Sequence, residues 1–302
     1  MKLTGLIAAT HTPIDADGDL NLAVVENQAD WLQEHHIRHA FIGGSTGESH
    51  SLSLDERIKL AERWVDVARG SDLGVIVHVG GNCLRDAANL ASQAEQLGVT
   101  AISALAPSYF KPADVSALIE SMNAIASRAP SLPFYYYDIP ALTQVNLSMP
   151  QFLQQAGSRI PNLAGIKFTS QDFISLQNCL SLDETAWDIL WGVDECLVAA
   201  LALGVNGAVG SSYNFAPDLY HRLIAAFREG DIATARQEQL NSIRLIELIA
   251  SYGYLPAAKH VMELLGVPVG GARLPLARLT DAQKKSLQAD LERLGFFEWS
   301  VK

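Results

Sequence analysis

The feature that most constrains this chain is the regular alternation of short, apolar, strand-like segments with amphipathic helical segments, from the first residues to about residue 215. Glycine, proline, asparagine or aspartate separates the segments, as is typical of turns. Eight strands, each followed by a helix, predict an α/β fold, a (β/α)8 TIM barrel. A doubly wound open sheet is the main alternative, but no GxGxxG sequence follows the first predicted strand to support dinucleotide binding. The predicted strands span residues 3–10, 39–44, 73–80, 99–107, 132–138, 163–169, 187–192 and 207–211.

Beyond residue 215 the strand pattern disappears and the sequence becomes wholly helical. A barrel needs only one more helix to close, so we assign residues 1–225 to the barrel with its active site. Residues 226–302 form a C-terminal helical extension packed on the barrel, as part of one structural unit. The apolar faces of this extension suit packing on the barrel and also suit contacts between subunits.

Charge and composition exclude several classes of partner. The chain has 33 acidic and 22 basic residues and no lysine or arginine run, so we expect neither nucleic acid nor a membrane surface as partner. The longest apolar stretch, residues 196–205, is too short to span a bilayer. Cys83, Cys179 and Cys196 are widely spaced without a CxxC pattern, which indicates a reducing cytoplasm. No histidine, cysteine or carboxylate spacing indicates a metal site.

Residues 162–170, NLAGIKFTS, place a lysine inside an otherwise apolar strand. Strand alternation puts Lys167 on one face with Thr169 and with Gly165, which would leave room for the lysine stem. Lys167 would then point into the barrel, where loss of water favours the neutral amine that attacks carbonyl carbons. The alternative is a strand-end lysine whose stem lies on apolar neighbours while its ammonium reaches solvent. The opposite face, predicted to pack against helices, holds Ala164, Ile166 and Phe168.

Other polar residues follow neighbouring predicted strands, at the rim where such barrels carry their chemistry. The turn GGSTGES, residues 43–49, offers backbone N–H groups and the hydroxyls of Ser45 and Thr46 to a carboxylate or phosphate. Tyr137, in YYYDIPA, is placed to carry a proton, unless the tyrosines of that strand serve only as strand formers.

Acidic and hydroxyl residues follow the last two predicted strands. Asp194 and Glu195, in WGVDECL, either complement a helix dipole or accept hydrogen bonds from a polyhydroxylated ligand. Ser211, in GAVGSSYN, gives a second small polar turn. With Lys167 and Tyr137, these residues predict one site that combines a Schiff-base lysine, a phenol, an anion-binding turn and acceptors for hydroxyl groups.

Three motifs, GGSTGE, YYYDIPA and GIKFTS, carry a resemblance to a known family. In their order and spacing the chain resembles the pyruvate-dependent lyase family that contains dihydrodipicolinate synthase and N-acetylneuraminate lyase, over essentially all 302 residues. The lyase branch is favoured because Ser45 and Thr46 stand where the synthase branch usually has two threonines. It is also favoured because no arginine follows Tyr137, and because WGVDE and GAVGSSYN resemble the sugar-recognition segments of the lyase branch.

The resemblance implies a class I aldolase that cleaves N-acetylneuraminate to N-acetylmannosamine and pyruvate, with no cofactor beyond a covalent Schiff base. Lys167 would form that Schiff base, and Tyr137, aided by Ser45, would move the proton. Ser45 and Thr46 would bind the substrate carboxylate. The residues that would receive the sugar hydroxyls are Thr169, Gly192, Asp194, Glu195 and Ser211.

The resemblance also implies a role between subunits. Tyr109, in APSYFKP, matches a family tyrosine that reaches into the neighbouring subunit's site, so we count it with the catalytic group and expect a homotetramer. Small-molecule partners, a sugar acid and pyruvate, are expected. Departures from the family pattern fall at Asp138, where asparagine is common, at Val193, where many bacterial members have an aromatic residue, and at Ser49 and His50.

Other readings of the same residues stay open. One is an aldolase for a different 2-keto sugar acid, or a dihydrodipicolinate synthase-like enzyme. Another is a non-catalytic sensor that keeps the fold to bind pyruvate or a sugar acid, although binding alone needs neither Lys167 nor Tyr137.

Overall fold

The chain forms a closed barrel of eight parallel strands in sequence order, with β8 paired to β1. The computed structural model describes residues 2–182 and 187–299. Each observed strand lies inside a predicted segment, so the predicted (β/α)8 TIM barrel is confirmed. The strands are β1 Gly5–Ala9, β2 His39–Ile42, β3 Gly74–His78, β4 Ala101–Leu105, β5 Phe134–Asp138, β6 Leu163–Phe168, β7 Asp188–Trp191 and β8 Gly207–Gly210.

Helices follow the strands and form the outer layer. In chain order they are α1 Val24–Glu34, α2 Leu54–Ala68, α3 Leu84–Leu97, α4 Val115–Ala126, α5 Pro140–Thr143, α6 Met149–Ala156, α7 Phe173–Leu180, α8 Leu197–Ala202, α9 Pro217–Arg228, α10 Ile232–Ser251, α11 Tyr254–Leu264 and α12 Asp281–Leu294. Short 3-10 turns lie at Ser49–Ser51, Asp194–Cys196, Ser212–Asn214 and Phe296–Glu298. Helix α9 follows the last strand, and the predicted boundary after residue 225 falls inside it.

Helix α2 shows how local sequence fixes an element. Ser53 Oγ accepts a hydrogen bond from Glu56 N at 3.2 Å, and Glu56 Oε2 accepts one from Ser53 N at 2.8 Å. This capping box satisfies two backbone donors that a helix start leaves unpaired. At the other end Gly70 has φ +83°, in the left-handed region that glycine tolerates best.

Two separate apolar clusters result from strand alternation. The barrel interior contains Phe41, Tyr135 and Tyr137, whereas Tyr136 lies in the larger cluster between strands and helices. Tyr135 and Tyr137 therefore share the inner face of β5, and Tyr136 lies on its outer face. Within residues 2–182 and 187–299, no helix combines the length and apolar character needed to cross a bilayer.

Strand β6 departs from the expected alternation near its start. Phe134 pairs with Leu163 and Tyr135 with Gly165, so Ala164 is an unpaired extra residue. Ala164 packs against the interior cluster, and its predicted outward facing is wrong. The structure gives a direct reason for Gly165, because a Cβ there would come within 1.8 Å of Asp188 O on β7. The missing side chain makes room for the neighbouring backbone.

Candidate active site

A cavity of about 730 Å³ opens at the carboxyl ends of the strands, where barrels of this fold carry their chemistry. Residues at the ends of β1, β5, β6, β7 and β8, in the turn after β2 and in the C-terminal extension line it. Nine of the ten predicted site residues lie on its wall, namely Ser45, Thr46, Tyr137, Lys167, Thr169, Gly192, Asp194, Glu195 and Ser211.

Lys167 points into the barrel mouth, and its side chain is 4% exposed. Its Nζ lies 4.0 Å from the Tyr137 ring centroid and 4.4 Å from the Phe41 ring centroid. In the part of the chain that the structure describes, no carboxylate lies within ion-pair distance of this amine and no hydrogen bond holds it. The amine is therefore removed from bulk water and lies close to two aromatic rings. Among the described residues, no polar group binds its nitrogen.

A neutral histidine packs against the rings of Phe41 and Tyr137. His78 is fully buried, and its ring stands edge-on to Tyr137 with centroids 5.6 Å apart. Burial, with the nearby charge of Arg57, holds the pKa of His78 well below its usual range. His78 therefore adds no second positive charge beside Lys167 near neutral pH.

Tyr137 and Ser45 bring a phenol and a hydroxyl together beside the amine. The phenol oxygen lies 3.4 Å from Ser45 Oγ, and either can donate. Ser45 belongs to a turn closed by a hydrogen bond from Ser49 N to Gly44 O at 3.2 Å. This turn begins at Gly43, whose φ of +63° few side chains tolerate.

Asp194 lies deep in the acidic side of the cavity, 5% exposed. Burial raises the pKa of Asp194 to about 6, against the effect of hydrogen bonds that its Oδ2 accepts from Ser212 N and Ser212 Oγ. The carboxylate lies flat on Gly210, where a Cβ would come within 2.0 Å of Oδ1. Asp194 is thus held by protein groups on one oxygen, which fixes the direction of the other.

Thr169 offers a buried hydroxyl without a partner. Its Oγ1 makes no hydrogen bond to any described residue. Gly192 leaves the space beside it, because a Cβ there would lie 2.0 Å from that oxygen. A buried hydroxyl without a partner is costly unless a ligand or water satisfies it, so this pair is suited to a polar ligand group.

The C-terminal extension supplies a wall that sequence reasoning missed. Ser211 Oγ lies 2.7 Å from Tyr254 Oη at the start of α11. Tyr252, Gly253 and Leu255 line the cavity beside it, as do residues 276–279. The signal in the sequence is SYGYLP, residues 251–256, where two tyrosines flank a glycine between helical segments.

Tyr109 is the predicted residue that does not line this cavity. It is 77% exposed in the loop after β4, with its ring 4.9 Å from that of Phe110, which is 85% exposed. Its backbone N–H donates to Asn82 Oδ1 at 3.0 Å. The loop is thus anchored while both rings face outward.

The four residues that depart from the family pattern do not line the mouth cavity. Asp138 is buried on the face of β5 that packs against helices, and burial raises its pKa to about 7, with help from the charge of Asp172. The Val193 carbonyl accepts a hydrogen bond from Trp191 Nε1. His50 lies with its Nδ1 3.3 Å from Ser49 Oγ.

Residues 2–182 and 187–299 contain no cluster of three histidine, cysteine or carboxylate side chains placed to hold a metal ion.

Fold and cavity together define a (β/α)8-barrel protein with a lysine-centred site at its mouth. The chain belongs to the Dihydrodipicolinate synthetase family, whose profile matches residues 2–294. The family resemblance predicted from the three sequence motifs is confirmed.

Relatives within the family are similar over nearly the whole chain. N-acetylneuraminate lyase A of Xenopus laevis is 42% identical over 278 residues, which cover 91% of each chain. The structure of Proteus mirabilis N-acetylneuraminate lyase matches with a TM-score of 0.95 at 41% identity, covering 98% of this chain and 100% of that one. The catalytic lysine mutant of Ruminococcus gnavus sialic acid aldolase matches with a TM-score of 0.92 at 27% identity, covering 98% of each chain.

Proposed function

We propose that this protein is a class I aldolase that cleaves N-acetylneuraminate to N-acetylmannosamine and pyruvate. The observation that carries the proposal is the buried, uncommitted amine of Lys167 at the centre of the mouth cavity. The names of the relatives support the substrate. A catalytic lysine in the Ruminococcus gnavus aldolase supports the chemistry.

The first step is formation of a Schiff base. The Lys167 amine attacks the ketone carbon of the open-chain sugar acid, and loss of water leaves an iminium on that nitrogen. The iminium accepts the electron pair of the bond that breaks next. No cofactor is needed for this step, because the covalent iminium is itself the electron sink.

The second step is proton removal and carbon–carbon cleavage. The Tyr137 phenol, 3.4 Å from Ser45 Oγ, takes the proton from the hydroxyl beyond the scissile bond. That bond breaks, and N-acetylmannosamine leaves as the aldehyde. The electron pair of the broken bond forms an enamine on Lys167. Tyr137 then returns the proton to the enamine carbon, and water hydrolyses the iminium to release pyruvate.

Binding groups divide between the two ends of the substrate. The hydroxyls and backbone N–H groups of Ser45 and Thr46 hold the carboxylate, whose charge persists throughout the cycle. The sugar hydroxyls meet polar groups on the far side of the cavity. These are Thr169, Gly192, Asp194, Glu195 and Ser211.

We also assign Tyr109 to the site of a neighbouring subunit in a homotetramer. This assignment is supported by the exposed ring of Tyr109, which does not line the cavity of its own chain. The Tyr109 backbone N–H is meanwhile hydrogen-bonded to Asn82. Light scattering of the purified protein tests the assembly. A cytoplasmic setting is proposed because Cys83, Cys179 and Cys196 are free thiols.

The test of this function is borohydride reduction in the presence of pyruvate, followed by intact-mass and peptide mass spectrometry. A pyruvyl adduct on Lys167, and pyruvate release from N-acetylneuraminate, are expected. Lys167→Ala should lose both, whereas Lys285→Ala, which removes an exposed lysine on α12, should keep both. An adduct without cleavage would refute this substrate and favour other 2-keto sugar acids. The absence of any adduct would refute the aldolase and favour the sensor.

Asp194→Asn tests the division of binding groups. The amide keeps the shape of the side chain while removing its charge, so the KM for N-acetylneuraminate should rise more than the pyruvate concentration that half-saturates borohydride trapping. Equal increases in both quantities would contradict a role at the sugar end.

A further inference from the structure

Glu48 and Lys259 form a buried ion pair, to which Arg273 adds its backbone N–H, and these three residues are here called the Glu48 anchor. Lys259 Nζ lies 2.8 Å from Glu48 Oε1, and the two side chains are 0% and 1% exposed. The ammonium also donates to Thr12 O at 2.9 Å and to Gly271 O at 2.8 Å, so all three of its N–H groups are used. The Arg273 backbone N–H donates to Glu48 Oε2 at 2.7 Å.

The anchor holds the turn that carries Ser45 and Thr46. Glu48 ends that turn with φ +55°, a left-handed conformation that costs energy in a residue other than glycine. Its backbone N–H donates to Ser45 O at 3.1 Å. Displacement of Glu48 would therefore move the backbone on which the Ser45 hydroxyl and the N–H groups of the turn are mounted.

The other members of the anchor lie in the two segments that supply the opposite wall of the cavity. Lys259 lies on α11, the helix whose first turn presents Tyr254 and Leu255 to the cavity. Arg273, and Gly271 whose carbonyl accepts from Lys259, lie a few residues before 276–279 of the same wall. The anchor thus joins the anion-binding end of the site to its distal wall.

Stability alone is a poor reason for such a group. Removing two charges from water costs about as much as their attraction returns, and well-packed apolar residues often replace a buried ion pair without loss. In this ion pair, however, every lysine N–H group and both carboxylate oxygens have a hydrogen-bond partner. Such a pair closely fixes the direction and the distance between the segments that it joins. That geometric property matters where an anion must be placed against a nucleophile.

We propose that the Glu48 anchor is a positioning device that sets the anion-binding turn at its working distance from Lys167. This inference rests on the proposed function, since it assumes that the turn binds the carboxylate of pyruvate and of the sugar acid. Glu48, Lys259 and Arg273 do not line the cavity themselves, so they act through Ser45 and Thr46.

The experiment compares stability with pyruvate capture in three variants. Lys259→Met leaves the Glu48 carboxylate buried and unpaired, so both the urea midpoint and pyruvate affinity should fall. In Glu48→Gln/Lys259→Met no buried charge remains, and the urea midpoint should recover toward the wild type. The pyruvate concentration that half-saturates borohydride trapping should stay raised by about tenfold or more, since misplacement by an ångström costs up to ~100-fold.

The maximal trapping rate should change much less than the half-saturating concentration, because Lys167 and Tyr137 stand on strands that the anchor does not touch. Asp188→Asn is the matched control. It neutralises a buried carboxylate at the opposite rim, where Oδ2 accepts from Leu3 N and Tyr135 Oη. It should leave the half-saturating concentration unchanged.

The outcomes separate two failures. If the wild type traps pyruvate and the double variant recovers both stability and half-saturation, the anchor is only structural and the inference is wrong. If the wild type forms no adduct at all, the proposed function itself is wrong, and the inference falls with it.

Discussion

Replacing Asp138 by asparagine should stabilise this protein at and above neutral pH. The residue is 4% exposed on the face of β5 that packs against helices, near Asp172, the N-cap of α7. Among the described residues no lysine, arginine or histidine forms an ion pair with it. Burial, and then the charge of Asp172, raises the pKa of Asp138 from 3.8 to about 7. The native state therefore favours the neutral form of this side chain.

The size and sign of the effect follow from proton linkage. A pKa raised from 3.8 to about 7 costs the folded state roughly 4 kcal/mol once the group is ionised, because each tenfold change in proton affinity corresponds to about 1.4 kcal/mol. Between about pH 4 and pH 7 the native state binds more protons than the unfolded state, so stability falls as pH rises. Below pH 4 both states are protonated and the cost disappears.

The assay is urea unfolding of the wild type and Asp138→Asn at pH 4, 6 and 8. The free energy of unfolding should differ little at pH 4 and should favour the variant by up to roughly 4 kcal/mol at pH 8. Asp114→Asn, at an exposed helix cap, controls for the replacement itself, because asparagine also caps well. A difference that is constant with pH, or a variant less stable at pH 8, would refute the reasoning.

Asp172→Asn separates the two causes of the raised pKa. Asparagine keeps the N-cap of α7, so the variant removes mainly the like charge beside Asp138. Its gain at pH 8 should be smaller than that of Asp138→Asn, because burial is the larger cause. In the Asp138→Asn background the same change should leave the pH dependence unaltered.

Three further changes have definite expected results. Tyr137→Phe should reduce pyruvate release from N-acetylneuraminate by about 10²- to 10⁴-fold while borohydride still traps pyruvate on Lys167, and equal loss of trapping would contradict the proton-transfer role. Gly165→Ala should lower the free energy of unfolding by about 3 kcal/mol or more, because its Cβ would meet Asp188 O; urea titration measures this. Ser53→Ala should cost about 1 kcal/mol by loss of the α2 cap, and Ser53→Asp should restore it in the same titration.

Features encoded by neighbouring residues could be predicted from the sequence. The eight strands follow from short apolar runs bounded by turn residues, and the rim position of Lys167 follows from its place near the end of the sixth run. Ser45, Thr46 and Asp194 could be found because each directly follows a strand of a fold that brings strand ends together.

Features set by contacts between distant segments could not be predicted. Glu48 and Lys259 are 211 positions apart, and nothing near either residue in the sequence specifies the other. The wall formed by Tyr254 depends on how the helical extension folds back over the mouth, which amphipathic periodicity does not encode. The close approach that requires Gly165 lies in the path of β7, so inspection of β6 alone could not reveal it.

The unpaired Ala164 shows how a small irregularity determines the chemistry. With Leu163 opposite Phe134 and no extra residue, regular pairing would place Tyr137 beside Ile166. Side chains of paired residues share a face, so Lys167 would then point outward with Asp138. The observed shift instead pairs Tyr137 with Lys167, and both side chains enter the barrel. The extra residue at the closed end of β6 is therefore what sets the amine beside the phenol at the open end.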